Sequence, residues 1–225
     1  QGADTVVALM SGDFVQRGEP AVRSKYDRTR QALEGGADLV FELPVRYALA
    51  SAGDFALGGI LALKSLGFVT DLYFGSECGD IEPLMTLAET LEQETDHFSA
   101  HLQKALKKGL SYPAARSYAL SQCTDLPESL YSEPNNILGI EYCRAIHQLG
   151  ASITPHTIRR QGLRYHDAIL PDTGTPADST TTDLHHVSPE GNNSNSHAVY
   201  PSATALRQKI YTEDTPHLCL NDCSA

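Results

Sequence analysis

Residues 4–10 (Asp-Thr-Val-Val-Ala-Leu-Met) form the first of three short apolar runs that decide the fold of this chain. The run ends at the turn residues Ser11, Gly12 and Asp13. A second run covers residues 38–43, and a third covers residues 70–75. The first run is continuous rather than alternating, as in the buried strands of a parallel sheet, and the second and third runs are also interpreted as strands.

Helical segments separate these strands. Residues 24–34 and 51–66 have helical spacing and are closed by Gly35 and Gly67. The order strand, helix, strand, helix, strand predicts a parallel sheet with right-handed crossovers. Further helices are predicted at 81–94, 97–108, 112–122 and 135–149, the last capped by asparagine, and short strands at 151–154 and 157–160.

The composition excludes several classes of protein. Of the 225 residues, 41% are hydrophobic, and 17 Lys and Arg face 28 Asp and Glu, for a net charge of −11. No run approaches the roughly 20 apolar residues that a membrane-spanning helix needs. Net acidity argues against non-specific nucleic-acid binding, but it leaves room for local basic faces. The five scattered cysteines predict free thiols and a cytoplasmic location.

The chain changes character after residue 170. Residues 171–198 are polar and rich in turn formers, which predicts a flexible insertion. This segment contains His185, His186 and His197, but no Cys or carboxylate stands at ligand spacing, so we predict no metal site. Residues 199–225 are expected to begin a C-terminal helical region that is truncated. Residues 1–170 then form the α/β domain, with a helical insertion at about 81–150.

Two strand ends and one helix start are candidate ligand contacts. Ligands of parallel α/β sheets bind outside the carboxyl ends of the strands, where the turns 10–13 and 74–77 lie. Each turn could equally be a plain connection. Ser202, Thr204 and Arg207 suit a phosphate at a helix N-terminus, although a simple cap uses the same residues. With no P-loop or GxGxxG motif, the residues alone indicate an α/β domain that binds a phosphorylated ligand.

Longer strings carry a more specific signal. In order, they are Met-Ser-Gly-Asp-Phe-Val-Gln-Arg-Gly-Glu-Pro at 10–20, Phe-Gly-Ser-Glu at 74–77, Pro-Asn-Asn-Ile-Leu-Gly-Ile-Glu-Tyr at 134–142, Tyr-His-Asp at 165–167 and Ser-Ala-Thr-Ala-Leu-Arg at 202–207. Together they resemble the tRNA(Met) cytidine acetate ligase family, a branch of the nucleotidyltransferase superfamily with an HxGH signature. The resemblance covers about residues 1–170 and the segment around Ser202.

The resemblance implies a Rossmann-like nucleotidyltransferase fold with helical additions, and an ATP-dependent ligase. Family members convert acetate and ATP to acetyl-adenylate and pyrophosphate, then acetylate N4 of the wobble cytidine of elongator tRNA(Met). By motif, Gly75, Asn135 and Arg160 are expected to contact ATP, with Asn136 and Arg159 as the alternatives to the last two. Ser202, Thr204 and Arg207 match the phosphate-binding helix start. Mg²⁺ is expected to accompany ATP; no protein partner and no membrane are expected.

Clustered basic residues are candidates for the tRNA backbone, because phosphate contacts position a nucleic acid. A solvated helix face is the alternative interpretation of each cluster. The candidates are Arg17, Lys25, Lys104, Lys107 and Lys108.

The chain also departs from the family. It contains no HxGH motif, so no catalytic residue is assigned. The first strand and most of the C-terminal helical region are expected to be missing, as in a fragment or a degraded copy. We therefore expect the chain alone to be inactive and poorly stable. Two alternatives stay open: another adenylyltransferase of the superfamily, and an inactive remnant that binds RNA or nucleotide.

Overall fold

The computed structural model describes residues 3–16, 18–93 and 95–160, which lie within the first of two compact units, Gln1–Arg160. The strands are β1 (Val7–Ser11), β2 (Leu39–Leu43), β3 (Asp71–Ser76) and β4 (Thr154–Arg159). The helices are α1 (Lys25–Glu34), α2 (Val45–Ala48), α3 (Ala52–Leu66), α4 (Ile81–Glu92), α5 (Asp96–Lys107), α6 (Tyr112–Ser121), α7 (Ser129–Ser132) and α8 (Pro134–Gln148). The predicted segments 171–198 and 199–225 lie outside the described residues.

Local sequence signals set the ends of the first two long helices. Ser24 caps α1 by accepting a hydrogen bond from the Asp27 N–H at 3.1 Å. Ser51 caps α3 in the same way. Gly67 ends α3 at φ 76°, a left-handed conformation that favours glycine. The predicted crossover helices are therefore confirmed to within one residue.

All four strands pair in parallel, as predicted, but they form two separate sheets. β1 pairs with β2 from Val7 opposite Leu39 onward, and β3 pairs with β4 from Asp71 opposite Thr154. Within the described part of the chain, no ladder joins the two pairs. The fold is an α/β fold with parallel strands, as predicted, but two two-stranded pairs stand where one continuous sheet was predicted.

A cavity of about 830 Å³ lies between the edges of β1 and β3. Residues 3–9 line one side and residues 68–74 the other, without interruption. Because side chains alternate between the faces of a strand, a continuous lining means that strand edges, rather than faces, border the cavity. Backbone groups along an edge without a strand partner weaken a sheet and expose it to aggregation.

The core forms where α8 packs against β3, α3 and α4. Its largest cluster includes Leu84, Leu87, Leu120 and Ile140, all buried, and Phe74 of β3 packs against it. Ala56, Ile60 and Ala145 form a second cluster between α3 and α8. The N-terminus of α8 is thereby held next to the carboxyl end of β3.

Three sequence predictions need correction. The N-cap of α8 is Glu133, so the asparagine cap is wrong. Instead of two strands at 151–154 and 157–160, the structure has the single strand β4 (Thr154–Arg159), which runs through Pro155 and leaves residues 151–153 outside it. The short helices α2 and α7 were not predicted, because four residues are too few to show a helical period. No described helix is both long and apolar enough to cross a membrane.

Candidate functional site

The carboxyl end of β3 turns sharply into the loop 76–79, and buried hydrogen bonds hold this turn. The Ser76 hydroxyl is fully buried and accepts hydrogen bonds from the Thr157 hydroxyl at 2.7 Å and the Gly79 N–H at 2.9 Å. Gly79 has φ 67°, and a Cβ there would run into Arg159. A glycine is therefore required at this turn, and the loop is fixed in place.

Glu77 follows Ser76 in this loop. Its carboxylate caps the N-terminus of α8 from outside the helix. Oε1 accepts hydrogen bonds from the Asn135 backbone N–H at 3.2 Å and from Asn135 Nδ2 at 2.6 Å. Oε2 accepts the Asn136 N–H at 2.8 Å. The negative charge also complements the positive end of the helix dipole. Sequence reasoning missed this role, and the only signal for it was the Phe-Gly-Ser-Glu string itself.

The side chains of the two asparagines of α8 differ in their burial and in their hydrogen-bond partners. Asn136 is 2% exposed; its Oδ1 accepts the N–H groups of Glu77 and Cys78, both at 3.1 Å, and its Nδ2 donates to the Ser129 carbonyl. The buried Asn136 side chain therefore makes three of its four possible hydrogen bonds within the protein. Asn135 is half-buried, and among the described residues nothing donates to its Oδ1. The geometry thus favours Asn135 over Asn136 as the ligand contact.

Arg160 lies directly over Gly75. A Cβ on Gly75 would stand 3.1 Å from Arg160 Cγ, and the Arg160 N–H donates to the Ser76 carbonyl at 2.9 Å. Arg159 instead packs on Gly79. Neither guanidinium forms an ion pair with residues 3–16, 18–93 or 95–160, and both side chains are exposed. Arg160 is the one that shares a surface with Gly75.

Gly75, Asn135 and Arg160, the described part of the predicted ATP site, therefore lie together. They surround the carboxyl ends of β3 and β4, with Glu77 linking the strand end to the helix end. The combination offers a strand end without a side chain, an amide acceptor and a cation that has no ion pair in the part of the chain that the structure describes. Such a site suits a polar, negatively charged ligand with a hydrogen-bond donor. Ser202, Thr204 and Arg207 lie outside the described residues.

The other predicted turn, at residues 10–13, is contacted by side chains of the chain itself. The Arg28 guanidinium donates to the carbonyls of Ser11 and Gly12. Lys25 pairs with Glu42 at 3.0 Å and with Asp13 at 3.6 Å, and the Glu42 hydrogen bond raises the pKa of Lys25. The charge of Lys25 is thus shared with two carboxylates.

The other basic candidates differ in exposure. Lys104, Lys107 and Lys108 form the exposed C-terminal end of α5 and have no ion pair within the described segments. Arg116, close by in sequence, instead pairs with the buried carboxylate of Glu141. Arg17 lies outside the described residues. A free basic surface is therefore present only at the end of α5 among the candidates that the structure describes.

The fold and the cluster of Gly75, Asn135 and Arg160 define an α/β protein with its candidate site at the carboxyl end of parallel strands. A family model, HIGH Nucleotidyl Transferase, matches residues 1–215. The chain belongs to this family. No group of three His, Cys, Asp or Glu residues is arranged to hold a metal ion in the described part of the chain.

The chain is also similar to curated tRNA(Met) cytidine acetate ligases. The tRNA(Met) cytidine acetate ligase of Fervidobacterium nodosum is 48% identical over 164 residues, which are 73% of this chain and 39% of the relative. That of Bacillus velezensis is 46% identical over 181 residues, which are 80% of this chain and 43% of the relative. The chain thus spans about two fifths of the length of these relatives.

The structure of the chain is also similar to two solved structures of Thermotoga maritima TmcAL. Apo Thermotoga maritima TmcAL matches with a TM-score of 0.75 at 36% identity, over 93% of this chain and 45% of that one. The same enzyme bound with alpha-thio ATP matches with a TM-score of 0.66 at 44% identity, over 70% of this chain and 40% of that one.

Proposed function

We propose that this chain is the ATP-binding part of a tRNA(Met) cytidine acetate ligase. The ligase reaction has two steps. In the first step, a carboxylate oxygen of acetate attacks the α-phosphorus of ATP and pyrophosphate leaves. N4 of the wobble cytidine of elongator tRNA(Met) then attacks the acetyl carbonyl, and AMP leaves. The observation that carries the proposal is the convergence of Gly75, Asn135 and Arg160 at one strand end. The names of the relatives give acetate and the cytidine of tRNA(Met), and one solved relative binds alpha-thio ATP. The elongator tRNA and the wobble position are what the family resemblance implies.

The three residues have distinct roles in the proposal. Gly75 lets the nucleotide approach the backbone, Asn135 accepts a hydrogen bond through Oδ1, and Arg160 offsets negative charge on the phosphates. Because acetyl-adenylate is already an activated acyl donor, the reaction needs no protein nucleophile. Catalysis would then rest on positioning and electrostatic stabilisation, as in other phosphoryl and adenylyl transfers.

The remaining phosphate contacts are proposed from the motif. Ser202, Thr204 and Arg207 would bind phosphate oxygens at a helix start. Mg²⁺ would enter with ATP, bound mainly by the phosphates. We also propose a cytoplasmic setting, which the free thiols of Cys78, Cys123 and Cys143 support.

A stable mimic of acetyl-adenylate tests acetate activation without requiring turnover. The probe is 5′-O-(N-acetylsulfamoyl)adenosine, and AMP is the comparison ligand. Mimics of reaction intermediates bind tightly where a site is built for them, so we expect the mimic to bind the chain at least about tenfold more tightly than AMP. Equal affinities, measured by equilibrium dialysis, would favour another adenylyltransferase. Binding of tRNA with affinity for neither ligand would favour an inactive RNA-binding remnant.

For tRNA we propose the exposed lysines at the end of α5. The double substitution Lys107→Glu and Lys108→Glu should weaken tRNA binding and flatten its dependence on salt, because fewer counterions are released. Arg46→Glu is the control, since Arg46 is an exposed cation that is not among the tRNA-binding candidates. Unchanged binding by the Lys107/Lys108 variant, or an equal loss with Arg46→Glu, would remove this surface from the proposal.

A further inference from the structure

Glu77 fixes the chemical face that Asn135 presents. An ionised carboxylate can only accept hydrogen bonds, so the side-chain amide must turn its Nδ2 toward Glu77. The same carboxylate holds the backbone N–H groups of Asn135 and Asn136, which fixes the position of the helix end as well. The acceptor Oδ1 is consequently directed away from Glu77.

We propose that Glu77 is a positioning residue that sets the hydrogen-bonding polarity of the nucleotide site. By holding Asn135 Oδ1 as an acceptor, it selects ligands with an N–H or O–H donor at that point. This inference rests on the proposed function. In ATP the donor is the exocyclic amine of adenine or a ribose hydroxyl. If the base is the donor, GTP is disfavoured, because guanine has a carbonyl where adenine has its amine.

A purely structural role for Glu77 makes a different prediction. Two of its three hydrogen bonds at α8 go to backbone N–H groups, so it would stabilise the helix whatever residue stands at 135. A cap of this kind would affect ATP binding equally with or without the Asn135 amide. The positioning role requires that Glu77 act through that amide. The two roles therefore differ in their coupling to Asn135.

The substitution Glu77→Gln separates them with little change in shape. In Glu77, Oε1 serves Asn135 Nδ2 and Oε2 serves the Asn136 N–H. Glutamine has one acceptor oxygen, so its NH₂ group must face one of these two donors. Glu133→Gln is the matched control. Glu133 is the N-cap of α8 and makes no side-chain capping bond, so this change removes a charge at the same helix end and leaves Asn135 untouched.

The first arm is a double-mutant cycle on ATP affinity, with Glu77→Gln and Asn135→Ala separately and combined. We expect Glu77→Gln to weaken ATP binding about tenfold when Asn135 is present and less than about twofold when residue 135 is alanine. Glu133→Gln should stay within about twofold of the unchanged chain. An equal loss in both backgrounds, or no loss at all, would overturn the proposal.

The second arm needs no ligand, so it remains decisive if the chain fails to bind ATP. In the nuclear magnetic resonance spectrum of the free chain, the Asn135 Nδ2 protons should be shifted and exchange slowly with water. Glu77→Gln should abolish both signs, and Glu133→Gln should preserve them. An Asn135 signal that is the same with and without Glu77 overturns the positioning role. Failure of ATP to bind, with this arm positive, contradicts the proposed function alone.

The third arm identifies the donor. N6,N6-dimethyl-ATP lacks the amine donor, and 2′,3′-dideoxy-ATP lacks both ribose hydroxyls. The unchanged chain should lose affinity for one of them, and that loss should disappear in Asn135→Ala. Affinities for both analogues that match the affinity for ATP would overturn the proposal.

Discussion

Gly139 of α8 is in closer contact with the core than any side chain would allow. A Cβ at this position would lie 2.6 Å from Phe74 Cε2 and 3.0 Å from Leu84 Cδ1. Gly59 of α3 is also buried within a helix, but a Cβ there would meet Leu9 and Tyr142 at an ordinary 3.9 Å. The same substitution should therefore have opposite effects at the two positions.

We expect Gly139→Ala to lower the free energy of unfolding by about 1–3 kcal/mol, because the core must open to admit the methyl group. Gly59→Ala should raise it by about 0.5–1 kcal/mol, because alanine restricts the unfolded chain and favours helix. Urea unfolding monitored by circular dichroism gives both values. The same sign for both substitutions would contradict the packing described here.

For single residues, the sequence identified the candidate ATP contacts but not the residue that holds them in place. Gly75, Asn135 and Arg160 came from motifs, and the structure brings them together. Glu77 was not predicted as the cap of α8, because its two partners are 58 and 59 residues away. Local spacing carries no information about such long-range hydrogen bonds.

The helix α8 connects the candidate site at one end to an ion pair at the other. Near its C-terminus, His147 Nδ1 stands 2.6 Å from Glu92 at the end of α4. The hydrogen bond and charge of Glu92 raise the pKa of His147 above its usual 6.5. A raised histidine pKa stabilises the fold fully below the unfolded value, and this contribution is lost as the pH rises through the folded value.

The substitution His147→Gln tests this link between α4 and α8. The variant should have a lower melting temperature than the unchanged chain at about pH 5.5, and the difference should vanish by about pH 9. Differential scanning fluorimetry at both pH values measures it. A difference that stays constant with pH would mean that the ion pair contributes nothing that depends on protonation.

The long elements were predictable because caps and glycine stops mark them. Ser24, Ser51 and Gly67 begin or end helices where the sequence indicated. The break assumed between residues 154 and 157 was wrong, because Pro155 is tolerated in β4, whose one ladder among the described residues runs to β3.

At the scale of the whole molecule, the cavity between β1 and β3 is the main weakness. Two strand edges border it, and no ladder within residues 3–16, 18–93 and 95–160 pairs their backbone groups on that side, as it would in a continuous sheet. This is a physical reason for the expectation that the chain alone is poorly stable. The strand order in sequence predicted parallel pairing, but it could not show that the pairs stand apart.

We expect the 225-residue chain, assayed alone, to melt below the roughly 45–65 °C typical of mesophilic domains and to leave tRNA unacetylated. The measurements are a thermal scan and an assay with ATP, labelled acetate and tRNA. ATP- and acetate-dependent acetylation of tRNA by this chain would contradict the expectation of inactivity.

The proposed function requires that a nucleoside triphosphate bind at the strand end formed by Gly75, Asn135 and Arg160. The most direct test is the ATP affinity of the chain and of the variants Arg160→Ala and Arg159→Ala, measured by equilibrium dialysis. These neighbouring arginines are both exposed, but only Arg160 packs on Gly75. We expect Arg160→Ala to weaken ATP binding by about tenfold or more and Arg159→Ala to change it less than about threefold. Equal affinities for the two variants, or stronger weakening by Arg159→Ala, would contradict it.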